Sequence, residues 1–139
     1  QLFSAYSRFE FALKECGYIT QKPGIAHADW PRFAKEPCLR DVMTVGAENS
    51  DVQEMIETPP KIQVTDGDRC WRWEEQSAKP IVSVFALFEA VKQVRDNLFH
   101  GGKSGEDPRD DTLCRGARMA LTLCLERHHE MRNIFEGKY

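Results

Sequence analysis

The chain has 139 residues, of which 41% are hydrophobic and 29% charged, and its formal net charge is −3. This composition is typical of one globular domain and excludes a disordered chain. The most apolar segment, residues 80–88, is far shorter than the roughly 20 residues that cross a bilayer, so we expect no membrane partner. The acidic balance argues against a protein that coats nucleic acid, although a few local arginines could still hold a phosphate.

The five cysteines are odd in number and include no C-x-x-C pair. They therefore fit neither a disulfide framework nor a zinc-finger spacing, and we expect buried free thiols in a reducing, cytoplasmic compartment. The adjacent His128 and His129 would point about 100° apart on a helix, which does not favour a shared metal ion. We expect His128 to pack in the core, and we expect no metal and no cofactor.

The first predicted element is an amphipathic helix over residues 1–16. Its apolar residues recur at three- and four-residue spacing. They are Leu2, Tyr6, Phe9, Leu13 and Cys16, with Phe3 and Ala12 widening the stripe. Gly17 follows where a left-handed C-terminal cap is expected.

Turn residues dominate residues 20–38, and the segment also carries Trp30 and Phe33. We expect a loop with a short helix whose two aromatic side chains plug the core. This irregular middle of the chain, up to about residue 79, contains no internal repeat and no domain boundary. A single domain over residues 1–139 is therefore predicted.

Two further elements are expected in the middle of the chain. Ser50 is followed three residues later by Gln53, a capping-box pattern for a short helix that the prolines at 59–60 would end. Residues 61–75 alternate loosely around an Asp-Gly turn, which predicts a small hairpin or an ordered loop.

Two long helices are predicted in the second half of the chain. The first would begin near Pro80, a residue suited to a first helical turn, and end at residues 100–102. Its apolar face comprises Ile81, Val84, Phe85, Phe88, Val91, Val94 and Leu98.

The second predicted long helix begins at about Asp111. Leu113, Ala117, Leu121, Cys124, His128, Met131 and Phe135 line one side of it. Two long helices joined by a loop of about ten residues should pack antiparallel. The fold class we predict is therefore an all-α bundle with a long C-terminal antiparallel helix hairpin and an irregular middle insert.

A polar group of residues lies at the end of the first long helix, in the segment RDNLFHGGK at 95–103. Asp96 and His100 are four residues apart and share one helix face, while Arg95 and Asn97 lie one step to either side. The helix dipole favours protonated His100, and an arginine fork suits a phosphate. A basic residue and a glycine at a helix end are also common for structural reasons alone, so physical chemistry leaves both readings open.

This segment resembles the motif of the HEPN superfamily (higher eukaryotes and prokaryotes nucleotide-binding domains): arginine, a polar residue, three to five further residues and histidine. The first helix resembles the HEPN first helix, with Glu10 where an acidic residue often faces the motif. The resemblance covers that helix and residues 80–139. It implies a HEPN-like helical bundle that dimerises so that two motifs meet in one cleft.

The resemblance further implies a metal-independent endoribonuclease that needs no cofactor. His100 would act as general base or acid, Arg95 would stabilise the scissile phosphate, and Asp96 would orient one of them. Asn97, Lys103 and Glu10 would help to bind the RNA substrate. Cleavage by the 2′-hydroxyl would leave a 2′,3′-cyclic phosphate.

The same resemblance implies a prokaryotic toxin or phage-defence effector, with an antitoxin or regulatory protein as a further partner. In HEPN toxins paired with a nucleotidyltransferase antitoxin, a tyrosine usually lies two residues after the histidine. Here that position is Gly102, which argues against this kind of antitoxin.

Two alternatives to the nuclease stay open: a non-catalytic HEPN module that binds nucleotide, RNA or a partner protein, and a helical scaffold without a site. Trp71 and Trp73 could stack RNA bases or cover the bundle as a hydrophobic lid, and we favour the lid. Arg115 and Arg118 are expected to be solvated, but both could reach a phosphate if the helix hairpin folds back towards the motif.

Overall fold

The computed structural model describes residues 1–21, 23–74, 80–99 and 107–138. These residues form a mainly helical domain with one small sheet, which confirms the mainly α-helical class predicted from the sequence. The helices are α1 (Leu2–Glu15), α2 (Trp30–Ala34), a 3-10 turn (Pro37–Leu39), α3 (Val42–Gly46), α4 (Ser50–Glu57), α5 (Val84–Phe99), α6 (Pro108–Arg127) and α7 (His129–Phe135), and the strands are β1 (Ile62–Thr65) and β2 (Trp71–Glu74). Helix α6 is central, because it packs against α1, α3, α4, α5 and α7.

Helix α1 forms as its apolar periodicity predicts. The buried side chains are those of Leu2, Tyr6, Phe9, Ala12 and Leu13. Gly17 has a φ of +85°, and the amides of residues 17 and 18 donate to the carbonyls of residues 14 and 13. This pair of hydrogen bonds is a Schellman cap, so the predicted helix end is confirmed. The side chain of Phe3 was expected to widen the buried stripe, but it is 53% exposed.

Helix α2 carries an aromatic side chain into the centre of the bundle. The side chain of Asp29 caps the helix by accepting from the amide of Arg32 at 3.1 Å. Phe33 is then fully buried, with its ring centroid 5.8 Å from that of Phe9 on α1 and 5.8 Å from that of Phe88 on α5. The predicted role of Phe33 as a core plug is confirmed.

Helix α4 begins one residue earlier than predicted. Its N-cap is Asn49, whose side-chain oxygen accepts from the next two free amides of the helix at 3.0 and 3.1 Å. Ser50 is therefore already helical, and Gln53 donates to Glu57 rather than reaching back in a capping box. Asn is as good an N-cap residue as Ser and stands one residue earlier, so it caps the helix in place of Ser50. The helix ends before the two prolines, as predicted.

Helices α4 and α6 make an unusually close backbone contact at Gly116. A Cβ atom at this position would lie 2.7 Å from the carbonyl oxygen of Asp51 and 3.0 Å from its carbonyl carbon. The side chains of Asp51 and Arg115 form an ion pair at 3.2 Å beside this contact. Only a glycine leaves room for the two backbones at this distance.

The predicted hairpin forms as an antiparallel pair of strands. The register pairs Ile62 with Glu74 and Thr65 with Trp71. The intervening turn contains Gly67 at a φ of +80°, which is a backbone conformation that glycine adopts without strain.

Helix α5 starts later than predicted. The Ser83 hydroxyl accepts from the amide of Ala86 at 3.1 Å, in the manner of an N-cap. Pro80 therefore precedes the helix instead of opening it. The amide of Ile81 donates to the carbonyl of Ile56 at 3.1 Å, which ties the segment before α5 to the end of α4.

The buried face of α5 also differs from the prediction. Phe85 and Leu98 were expected to be buried, but they are 42% and 49% exposed. Ile81, Phe88, Val91 and Val94 are buried as predicted, and Val84 is half-buried. Leu87 and Ala90 are buried in addition. The buried residue at the C-terminal part of the face is Asn97, whose partner is described below.

The second predicted long helix is two helices with a break at His128. Helix α6 starts at Pro108, with Asp107 as its N-cap, so it also begins three residues earlier than expected. His128 has extended backbone angles and caps α7: its Nδ1 atom accepts from the amide of Met131 at 3.2 Å. Its Nε2 atom lies 3.2 Å from the hydroxyl oxygen of Tyr18. His128 therefore packs half-buried at a helix junction rather than along one helix face.

Replacing His128 by alanine should lower the free energy of unfolding by about 1–3 kcal/mol, because it removes the cap of α7 and a hydrogen bond. Thermal unfolding followed by circular dichroism would measure this loss. His129→Ala is the matched control, since His129 is exposed and its change should stay within about 0.5 kcal/mol. Equal losses in the two variants would contradict the capping role.

All five cysteines are free thiols, but they are not all buried as expected. Cys70 is exposed in the turn of the hairpin. Burial raises the pKa of Cys16 to about 11 and that of Cys124 to about 12. These two thiols therefore stay protonated near neutral pH. Within the described ranges, no helix combines the length and the apolarity that a membrane crossing requires.

Candidate functional site

Arg95 is held in a defined position by two neighbours. Its Nη2 and Nε atoms donate to Oδ1 of Asp96 at 2.5 and 3.0 Å. The guanidinium carbon lies 4.4 Å from the ring centroid of Tyr6 on α1, a cation–π contact that joins α5 to α1. The side chains of Arg95 and Asp96 are 24% and 25% exposed, so the guanidinium is partly accessible and its orientation is fixed.

The electrostatic surroundings keep Arg95 charged. Burial lowers its pKa, but the hydrogen bond to Asp96 and the nearby Tyr6, Asp96 and Glu10 raise the pKa, and the net shift is upward. Burial and the neighbouring Glu10 carboxylate raise the pKa of Tyr6. At neutral pH this corner of the protein therefore presents a guanidinium cation beside a neutral phenol.

The structure brings Glu10 to the same place as Arg95. The Glu10 carboxylate accepts from the indole nitrogen of Trp30 at 3.2 Å, and Trp30 in turn stacks on Tyr6 with ring centroids 5.3 Å apart. Trp30 is half-buried, with its ring among those of the core. An acidic residue of the first helix thus faces the arginine of the motif, although Glu10 contacts Trp30 rather than a described motif residue.

A cavity of about 400 Å³ lies between α1 and α5 next to Arg95. Its lining includes Tyr6, Glu10 and Lys14 of α1 and Glu89, Lys92 and Arg95 of α5. Sequence reasoning missed Lys14 and Lys92. The three-residue spacing of Lys92 and Arg95 places both on one helix face, which is the signal that could have found one of them.

Asn97 was predicted to help bind substrate, but its side chain points into the protein and is only 8% exposed. Its amide nitrogen donates to the backbone carbonyl of Lys61 at 2.7 Å, and its oxygen accepts from Gln93 at 2.7 Å. Both ends of the amide are therefore occupied. The observed role of Asn97 is to attach the base of the hairpin to α5.

His100 and Lys103 lie outside the described residues, as do Gly101 and Gly102. Their predicted roles remain predictions. Of the predicted catalytic group, the structure describes Arg95 and Asp96, and it pairs these two with each other. Asp96 thus contacts Arg95, one of the two residues it was expected to orient, and its role in catalysis stays a prediction.

The other candidate residues are distributed around the same end of the domain and on the hairpin. Arg115 and Arg118 are both exposed, as expected, and both line a second cavity of about 550 Å³ that also includes Phe3 and Leu98. Arg115 is in addition paired with Asp51 on α4.

The two hairpin tryptophans lie on one strand with their ring centroids 5.9 Å apart. Trp71 is 52% exposed, and Trp73 is half-buried. Trp71 therefore offers half of its surface to solvent, and both the lid and the base-stacking role stay predictions.

No group of three or more His, Cys, Asp or Glu side chains in the described ranges could hold a metal ion. Comparisons of the chain with protein-family models, with curated proteins and with solved structures found no match.

Proposed function

We propose that this chain is a metal-independent endoribonuclease of HEPN type that cleaves RNA by attack of the ribose 2′-hydroxyl. The observation that carries the proposal is the fixed, charged and partly exposed guanidinium of Arg95 at a cavity that also contains Glu10. A preoriented guanidinium is suited to bind a phosphate and to stabilise the charge that develops on it in the transition state.

In the proposed reaction the 2′-oxygen attacks phosphorus and loses its proton to an imidazole of His100. The bond from phosphorus to the 5′-oxygen breaks, and the leaving oxygen takes up a proton from protonated His100. The products are a 2′,3′-cyclic phosphate and a 5′-hydroxyl end. Arg95 binds the phosphate during the reaction, and Asp96 holds Arg95 in place. Each step uses acid–base and electrostatic catalysis by the chain's own residues.

The proposed enzyme acts as a homodimer in which two copies of the motif face one cleft. An exposed apolar patch near the motif supports this arrangement. It consists of Phe3, Leu98 and Phe99, which are 53%, 49% and 60% exposed, and the rings of Phe3 and Phe99 lie 4.8 Å apart. Adjoining exposed apolar side chains of this size favour a protein contact.

The proposed biological role, a cytoplasmic toxin or phage-defence effector with an antitoxin or another regulatory protein as a partner, rests on the family resemblance. The alternative proposal is a non-catalytic HEPN module, in which the Arg95 corner binds RNA, a nucleotide or a partner protein without cleaving it. The partial exposure of Arg95 is compatible with both.

RNA cleavage in EDTA tests the proposal, with the wild type compared with His100→Ala and the ends of the products analysed. We expect the wild type to produce 2′,3′-cyclic phosphate ends and the variant to be slower by about 10²- to 10⁴-fold. The exposed His129, replaced by alanine, is the matched control and should cleave normally. Full activity of His100→Ala, or loss of wild-type activity in EDTA, would contradict the proposal. RNA that is bound but stays intact would favour the non-catalytic module.

A further inference from the structure

The cavity between α1 and α5 contains two lysines that the proposed reaction does not use. Lys14 reaches it from the last turn of α1, and Lys92 reaches it from α5, one helical turn before Arg95. Neither lysine has an ion pair or a hydrogen bond with another described residue, whereas Arg95 is held by Asp96. The two ammonium groups are thus available to a ligand.

The charge of the cavity differs from that of the whole protein. Lys14, Lys92 and Arg95 line it together with the two carboxylates Glu10 and Glu89, and Glu10 already accepts a hydrogen bond from Trp30. The formal net charge of the chain is −3. Asp96 neutralises Arg95, so Lys14 and Lys92 supply the positive charge that a ligand would meet in the cavity. Two ammonium groups at one cavity favour an anionic ligand.

The rest of the lining includes one accessible aromatic side chain, that of Trp30, which is half-buried. Tyr6 and Phe88 lie behind it with 2% and 3% of their surface exposed, and their rings hold the Trp30 ring at centroid distances of 5.3 and 5.1 Å. The accessible part of Trp30 suits contact with a base, because bases pack on aromatic side chains whatever their sequence. The volume of about 400 Å³ lies within the range of small-molecule sites.

We infer that this cavity binds the nucleotide next to the scissile phosphate of a single-stranded RNA, with Lys14 and Lys92 on its phosphate and the accessible part of Trp30 against its base. The inference rests on the proposed function, because the shared residue Arg95 would hold the scissile phosphate at the rim of the same cavity. A free mononucleotide has the same chemistry, and the test separates it from an RNA strand.

The test is binding of a fluorescent oligoribonucleotide with 2′-O-methyl groups at every position, which cannot be cleaved by its own 2′-oxygen. Fluorescence anisotropy measures its Kd at several salt concentrations for the wild type, Lys14→Gln and Lys92→Gln. We expect each variant to bind about 5- to 10-fold more weakly at low salt, and the slope of log Kd against log salt to fall by about 0.7. Lys138→Gln is the matched control, since Lys138 is an exposed lysine outside this cavity and should bind as the wild type does.

Binding and cleavage are separate readouts, so the two proposals can fail separately. Unchanged Kd values in both lysine variants would overturn the inference, even if the wild type cleaves RNA. Wild type that does not cleave, but whose binding depends on the lysines, would overturn the nuclease and support the nucleotide site. Competition by adenosine or uridine monophosphate as strong as that by the RNA would overturn the assignment to a strand. The charge-reversed variant Lys92→Glu, provided that it keeps the Tm of the wild type, should bind the RNA still more weakly. Normal binding by this folded variant would also overturn the inferred nucleotide site.

Discussion

Replacing Arg95 by alanine should slow metal-free RNA cleavage by about 10²- to 10³-fold while the protein stays folded. Among the described residues that line the cavity, Arg95 is the arginine, and its guanidinium is partly exposed there. Removal of its contacts with Asp96 and Tyr6 should cost about 1 kcal/mol of stability, because cation–π contacts and partly exposed ion pairs are weak. Initial cleavage rates and thermal unfolding would measure the two effects.

Two further variants sharpen this result. Arg95→Lys keeps the charge but loses the planar fork, so it should recover only a small part of the lost rate. Arg132→Ala is the matched control, since Arg132 is exposed and forms an ordinary surface ion pair with Glu136. Wild-type cleavage by a folded Arg95→Ala would remove Arg95 from the mechanism. Weaker RNA binding in this variant, with no cleavage by the wild type, would point to the binding module.

Replacing Gly116 by alanine should lower the free energy of unfolding by about 2 kcal/mol, although alanine normally strengthens a helix interior by about 1 kcal/mol. The new Cβ atom would lie 2.7 Å from a backbone oxygen of Asp51, which cannot rotate away as a side chain could. Helix α4 would have to move, yet its N-terminus is capped by Asn49 and its inner face, including Val52 and Met55, is fully buried. Urea denaturation should show a lower midpoint with an unchanged slope.

The control for this prediction is Thr122→Ala on the same helix. Thr122 is exposed and its hydroxyl donates to the carbonyl of Arg118 within α6, so its removal should change stability by less than about 0.5 kcal/mol. A Gly116→Ala protein as stable as the wild type would mean that α4 and α6 do not approach each other as closely as described. A Gly116→Val variant should be less stable than Gly116→Ala.

Local patterns predicted most of the helices but not which residues complete their buried faces. The spacing of apolar residues led to α1 and α5, and Gly17 marked the end of α1. The same spacing placed Leu98 inside α5, whereas the residue that faces inward there is Asn97. Its partner is a backbone carbonyl 36 residues away. The sequence of the helix alone could not predict this partner.

The break at His128 was missed for a similar reason. Met131 is buried after the break as Cys124 is before it, so the apolar spacing runs on without interruption. Histidine is also not among the usual capping residues. The contact with Tyr18, which fixes the ring, depends on the packing of α1 and the loop after it.

The candidate site was partly predictable. The motif pointed to Arg95 and Asp96, and the family resemblance placed Glu10 opposite them. The structure brings these residues to one corner. The lysine-lined cavity was not predictable, because Lys14 and Lys92 are 78 positions apart and become neighbours only through the packing of α1 on α5.

The hydrogen bond from Asn97 to Lys61 has a consequence for the order in which the protein folds and opens. An isolated two-stranded hairpin is marginal in water, so the hairpin gains its support only after α5 has formed and presents Asn97. The strands should therefore assemble late during folding. They should also open at a lower free energy than the helical bundle does, as a separate cooperative unit whose amide hydrogens exchange with solvent ahead of those of α6.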